Sequence, residues 1–300
     1  MLFVVTVYMK FLSFVLLRSK GLLKEQGNVI KRRQMVKHVA FFCIGFFIFG
    51  LMFATLSNAK VDYNKAAGIW LFEEKDGAVI KDSSKNGNHG KSDGTKHVAG
   101  KAGSALSFNG TTDKVVVPDS DSLDLQGQWT ITAWIKVNKT EANWGHILGK
   151  RDPALAVVNY AFRTDNVGKG WDAYFATNGA WKGIWNNGTV KYDEWYYMTA
   201  TYDGKDVITI YENGVEIGTG AGMGTPAPAN DIDVIIGGWK DNTSELLDGT
   251  LDEVILLGTM ITTDDMITLM NDGVDKAFGI TAVDKLGKLS TEWGSIKISH

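Results

Sequence analysis

The 300 residues contain a single cysteine, Cys43, and it lies inside a long apolar run. The rest of the chain therefore has neither a disulfide nor a thiol nucleophile. Blocks of Lys or Arg are missing beyond residue 60, where acids and bases are interspersed, and the formal net charge of the whole chain is -3. This excludes the concentrated basic face that nucleic-acid binding requires. There is no nucleophile elbow, zinc-binding His/Glu helix or phosphate-cradling Gly-rich loop. His89, His97 and His146 are scattered, with no spacing that converges on a metal.

The amino-terminal part is apolar instead. Residues 1–17 are apolar but broken by Lys10, Lys24 to Lys37 is polar and basic, and Val39 to Leu56 is almost entirely apolar before Ser57-Asn58-Ala59. Read from Met35, these parts form a secretory signal cleaved after Ala59. Read from Met1, they form a signal anchor, an N-terminal hydrophobic helix that holds the chain in the membrane through residues 39–56. Both readings put the remainder outside the cytoplasm. Phe41-Phe42 before Cys43 lack the small residues of a lipid-attachment site. The expected division is a targeting segment over 1–59, one domain over 60–280 and a tail over 281–300.

Within that domain the pattern is period two. Trp195 to Gly218 contains two alternating runs and a short third, punctuated by Asp203-Gly204 and Asn213-Gly214, which supply positive-φ turn positions. Trp129 to Val137 alternates most cleanly, with Trp129, Ile131, Ala133, Ile135 and Val137 on one face and Thr130, Thr132, Trp134 and Lys136 on the other. Further strands are expected at 67–72, 105–108, 114–117, 146–150, 155–163, 171–176, 181–185, 233–237 and 250–257. Glu73 to Ser104 reads as an ordered loop dense in Asp, Asn, Ser and Gly. Thr262 and Asp265 predict a capped short helix with Met266, Leu269 and Met270 facing inward and Gly273 as its stop.

Seven pieces in order carry a family resemblance: G-I-W-L-F-E-E at 68–74, D-S-S-K-N-G-N-H-G at 82–90, A-L-S-F-N-G-T-T-D-K-V-V-V-P at 105–118, W-T-I-T-A-W-I-K at 129–136, E-W-Y-Y-M-T-A-T-Y-D-G at 194–204, I-Y-E-N-G at 210–214 and G-T-L-D-E-V-I-L at 249–256. From about Val61 to Gly279 the chain resembles the laminin-G-like, concanavalin A-like jelly-roll domains. The resemblance implies an all-β fold, a two-sheet antiparallel sandwich that serves carbohydrate binding, protein adhesion and occasionally hydrolysis, and so does not choose among them.

It also implies a structural calcium ion held by Asp82, Asn86 and Asn88, the carbonyls near Asn109 and Gly110, and Asp252 or Glu253. The alternative is a loop tied by Asx turns. Alternation on 250–257 groups Leu251, Glu253, Ile255 and Leu257, with Asp252 beside Val254 and Leu256, so an acid faces apolar neighbours either way. For a sugar platform the candidates are Trp181, Trp185 and Asn186, with Trp144, Trp171 and Trp239; core packing is the competing role for each Trp. Glycosidases of this architecture carry Glu-x-Asp followed closely by Glu on one strand, a run this chain lacks. The expectation is a non-catalytic extracytoplasmic module whose partner is a glycan, with an extracellular protein as the alternative and glycoside hydrolysis behind both.

Overall fold

The computed structural model describes residues 61–74, 77–138, 144–152, 157–165, 170–177, 179–239 and 245–279. The segment over 1–59, with its apolar run and the Ala59 cleavage position, and the tail over 281–300 lie outside the described residues. Among the described residues no helix is long and apolar enough to cross a membrane.

The strands are β1 (Ala66–Trp70), β2 (Val79–Ile80), β3 (Gly90–Asp93), β4 (Lys96–Ala99), β5 (Ser104–Asn109), β6 (Lys114–Val117), β7 (Trp129–Val137), β8 (His146–Asp152), β9 (Val157–Thr164), β10 (Trp171–Thr177), β11 (Ala180–Asn187), β12 (Trp195–Tyr202), β13 (Ile208–Glu212), β14 (Val215–Gly220), β15 (Val234–Ile236) and β16 (Asp248–Leu257). They form two antiparallel sheets. The first runs β14-β13-β12-β7-β16-β5-β4, with β1 also on β16; the second runs β11-β10-β9-β8-β15-β6-β3-β2. β5 lies beside the first half of β16 and β1 beside the second.

The apolar face of each strand determines what lies between the sheets. Trp129, Ile131, Ala133, Ile135 and Val137 of β7 enter one core with Phe162, Trp171 and Phe175 from the second sheet. Burial of side chains this large contributes about 1.5–3 kcal/mol each, which is what makes a cysteine-free sandwich stable. One inward position is a cation: Lys150 is fully buried and bonds to Asp119 and, at 3.0 Å, to Asp124. A buried ammonium needs such partners, because without them its charge would be uncompensated.

The opposite face of β7 is covered as well. Trp134 stacks edge-on against Tyr197 at 5.1 Å, under a helix, α1 (Thr263–Phe278), that supplies Met266, Leu269, Val274, Ala277 and Phe278 to a second core. Thr262 caps it: its hydroxyl accepts from Asp265 N at 3.2 Å, and Asp265 Oδ2 accepts from Thr262 N at 2.9 Å. Gly273, at φ 80 and ψ 174, breaks the helical backbone where a stop was expected, and a second helical stretch follows it to a left-handed cap at Gly279.

Two expectations are corrected. The stretch 73–104 is not simply a loop, for β2, β3 and β4 lie in it; they are short strands at the sheet margins, pairing through Val79↔Lys91, Lys91↔Val116 and His97↔Leu106. Their outward positions are wet, so polar residues are stable there and the apolar alternation is weak. Strand β16 does not alternate throughout either. Its register with β7 shifts between Asp252 and Ile255, and Glu253 sits at φ 47. This bulge puts Leu251, Val254 and Leu256 together in the inter-sheet core, and Ile255 and Leu257 under the helix.

Candidate functional site

The outward face of the second sheet is where aromatic and charged side chains gather. Trp171, Ala173 and Phe175 of β10 point into the core, so Asp172, Tyr174 and Ala176 point out. On β11, Ile184 points in, and Trp181, Gly183 and Trp185 share the outward side. Arg163 of β9, and His146 and Arg151 of β8, meet them through their contacts described below.

Gly183 faces Tyr174 across the two strands. A β-carbon at Gly183 would lie 2.5 Å from Tyr174 Cβ and 2.6 Å from the Ala173 carbonyl oxygen, so only glycine leaves room for the tyrosine. The ring consequently rests between two tryptophans, 5.6 Å from Trp181 and 5.2 Å from Trp185 by centroids. Four steps along the strand put their α-carbons roughly 13 Å apart, and both rings lean in toward Tyr174. They are 44% and 42% exposed, while the Tyr174 ring beneath them is fully buried.

Two guanidiniums support this aromatic strip. Arg151 lies 3.5 Å over the Trp239 ring and 4.7 Å from that of Trp181; Arg163 lies 4.8 Å from Tyr174, 5.1 Å from Trp144 and 5.9 Å from Trp185. Such contacts hold cations against ring faces. Glu245 joins the parts. Its Oε2 accepts from Arg151 Nη1 at 3.0 Å, Arg163 Nη1 at 3.2 Å and Trp239 Nε1 at 2.6 Å. Asp172 Oδ2 takes Arg163 Nε at 3.2 Å, and its Oδ1 takes the Asn186 amide at 2.9 Å. Burial raises the Asp172 carboxyl although the Asn186 amide and Arg163 oppose it.

The proton positions of the buried centre follow from its partners. His146 Nδ1 lies 3.1 Å from the Glu245 carbonyl oxygen, which can only accept, so Nδ1 carries the hydrogen. Nε2 is then an acceptor for the Tyr174 hydroxyl at 3.0 Å, and that hydroxyl accepts in turn from Arg151 Nη1 at 3.1 Å. Burial, with Arg163 and Arg151 nearby, drives the His146 pKa well down. The ring is thus neutral, and its 3.8 Å approach to Glu245 Oε2 is no ion pair. Burial pushes Tyr174 up to about 12, so it remains a phenol.

Five of the sequence candidates for ligand binding lie at this face, in different roles, while Trp171 points into the core. Trp181, Trp185 and the exposed Asn186 reach solvent and Trp144 is partly buried. Trp239 is 1% exposed and stacks on His146 at 4.5 Å, so it is a support for the others. Sequence reasoning missed Arg151, Arg163, Tyr174 and Glu245. The outward alternation of 155–163 and 171–176 was the available signal for Arg163 and Tyr174; nothing local marks Glu245, which is 94 residues from Arg151.

The residues expected to hold calcium fall into separate constellations. Asp82 Oδ1 accepts from Ile69 N at 2.9 Å and Ser84 N at 2.7 Å, and Oδ2 from Ser84 Oγ at 2.6 Å and Asn88 N at 2.8 Å. Those donors fill the acceptor positions of a carboxylate, so this carboxylate does not fit a cation ligand as it is bonded. The Asn86 and Asn88 side-chain amides donate to carbonyls of Ala66 and Ala67, clasping the loop to β1. Asn109 Oδ1 accepts from the amides of Thr111, Thr112 and Asp113 at another turn, where Gly110 N donates to Leu247 O. Asp252 Oδ2 takes the amides of Lys101 and Ala102 at 2.8 and 2.9 Å. Glu253 follows Asp252 on β16, where Asp252, Glu73 and Asp275 act on it. Among the described residues no group of three or more His, Cys, Asp or Glu is placed to share an ion.

A family model for the concanavalin A-like lectin/glucanases superfamily matches residues 109–266. No curated protein matches the chain. Among solved structures, the binding domain of Paraclostridial Mosquitocidal Protein 1 superposes with a TM-score of 0.58 at 15% identity, over 70% of this chain and 52% of that one. Domain 4 of AbnA, an extracellular arabinanase from Geobacillus stearothermophilus solved with arabinotriose, gives 0.53 at 19%, over 68% and 98%. The binding domain of botulinum neurotoxin DC in complex with rat synaptotagmin II gives 0.55 at 12%, over 71% and 53%. This chain thus spans about half the length of the two toxin domains, and at these identities the likeness is one of fold.

Proposed function

The chain belongs to the concanavalin A-like lectin/glucanase superfamily, and from that membership we propose that it is a non-catalytic module that binds carbohydrate on the outward face of its second sheet. The observation that carries the reading is the pair of exposed tryptophans, Trp181 and Trp185, fixed over Tyr174 by Gly183 and backed by Arg151 and Arg163. Exposed rings of this size are costly in water unless a ligand covers them, and a sugar offers an apolar C–H face to a ring and hydroxyls to the polar groups beside it. Domain 4 of AbnA, of the same fold, was solved with arabinotriose, which favours the reading.

Turnover would need a carboxylic acid and a carboxylate free to exchange protons with substrate. Asp172 is 2% exposed and both it and Glu245 are bonded to Arg163, which favours binding without hydrolysis. The apolar run at 39–56 extends the proposal to an extracytoplasmic domain, anchored through that run or released by cleavage after Ala59.

A glycan array probed with the fragment beginning at Lys60, and repeated with Trp181→Ala and Trp185→Ala variants, tests the reading. Signals on a glycan class that both variants abolish support it. A folded fragment with no glycan signal would overturn it in favour of protein adhesion.

A further inference from the structure

We infer that the face around Glu245 selects neutral sugars with adjacent hydroxyls and rejects acidic ones. The inference rests on the carbohydrate reading above and goes on to the class of sugar. Its basis is the balance of charge at the face: the guanidiniums of Arg151 and Arg163 are matched by the carboxylates of Glu245 and Asp172, all tied together by direct bonds. His146 is neutral, as its partners require. Among the described residues of this face no cation is left over to attract an anion.

The unused atoms point to what the face can recognise. The Glu245 carboxylate makes its three hydrogen bonds through Oε2, and its Oε1, which has no partner among the described residues, is not sealed from solvent. Arg151 and Arg163 likewise spend their Nη1 atoms on Glu245, and their Nη2 atoms make no bond to the described residues and are not sealed off. An acceptor thus lies beside two donors, a few ångströms from the ring of Tyr174 and the tryptophans that flank it. Adjacent hydroxyls each donate and accept, so one can give its hydrogen to Glu245 Oε1 while its neighbour accepts from an arginine. A uronate, sulfate or sialate oxygen can only accept, and would meet the bare carboxylate oxygen at close range. Discrimination of this kind arises because an unmatched buried charge is costly.

The test is calorimetric titration of the fragment beginning at Lys60 with neutral arabino-, xylo-, cello- and manno-oligosaccharides and with oligogalacturonate, sialyllactose and a heparin-derived tetrasaccharide, at 20 and 200 mM salt. The expected result is binding of at least one neutral series at least tenfold tighter than any acidic one, changing less than twofold between the two salt concentrations. In Glu245→Gln the two arginines lose their counter-charge, and acidic sugars should gain at least tenfold over neutral ones. Tighter binding of an acidic sugar by the native fragment, weakening steeply with salt, would overturn the inference and leave the carbohydrate reading intact. Failure of every sugar to bind a folded fragment would overturn both. The native salt dependence decides the matter even if Glu245→Gln does not fold.

Discussion

Gly183 and Tyr174 face each other across β10 and β11, and the room for the tyrosine exists only because Gly183 has no side chain. The ring that Trp181 and Trp185 lean on is thus placed by a missing atom on the neighbouring strand. Gly183→Ala should lower stability by about 1–3 kcal/mol, the usual consequence of forcing a methyl group into a filled site. It should also weaken sugar binding at least tenfold, because the strip beneath the tryptophans is displaced. Thermal unfolding followed by calorimetric titration checks both. Unchanged binding in a destabilised variant would separate the tyrosine from recognition.

Trp181→Ala and Trp185→Ala should act oppositely on the two readouts. Each ring is more than two-fifths exposed, at 44% and 42%. Unfolding free energies should therefore change by less than about 1 kcal/mol while affinity falls at least tenfold. Val215→Ala, at a 65% exposed position elsewhere, is the matched control and should alter neither. Equal losses of stability and binding would make the tryptophans structural.

Through the acid pair on β16, acidification should stabilise the fold. Burial, with Asp252, Glu73 and Asp275 close by, raises Glu253 from the ordinary 4.5 to about 7. Burial raises Asp252 from 3.8 to about 6. Between these limits the folded protein holds protons that the unfolded chain has released, so stability falls as pH rises through roughly 4 to 7. His146, held neutral by burial, acts the other way below its ordinary 6.5, so the pair is read by difference: from pH 5 to pH 8 the native protein should lose more melting temperature than Glu253→Gln. Equal pH profiles for the two would remove the acid pair from the account.

Calcium and a chelator should give the same melting temperature. The Asp82 carboxylate already receives the Ile69, Ser84 and Asn88 donors, so no ion is needed to satisfy it. A loss of several degrees in chelator would show that a cation displaces some of these donors and belongs to the loop.

The parts of the fold legible in the sequence are those where one physical requirement acts alone. Trp129–Val137 and Lys114–Val117 read to the residue because β-branched and aromatic side chains alternate between their two faces. Thr262 and Asp265 marked the helix start because two orphan amides need side-chain partners there. β3 and β4 escaped notice because Lys91, Lys96 and Ala99 face water at the margin of the sandwich and carry no alternation to read. At the site, Trp181 and Trp185 could be picked out as aromatic residues. Glu245 could not, because its importance lies in Arg151, Arg163 and Trp239 arriving from other strands and loops, and pairings at that separation leave no local pattern.

The helix over the first sheet has a practical use. Because α1 roofs that sheet while the tryptophans look out from the other, the domain can be tethered by its back. Lys276, on the helix and 59% exposed along its side chain, is a point of attachment remote from the aromatic strip. Immobilised through that residue, the domain would present Trp181 and Trp185 to the flowing solution.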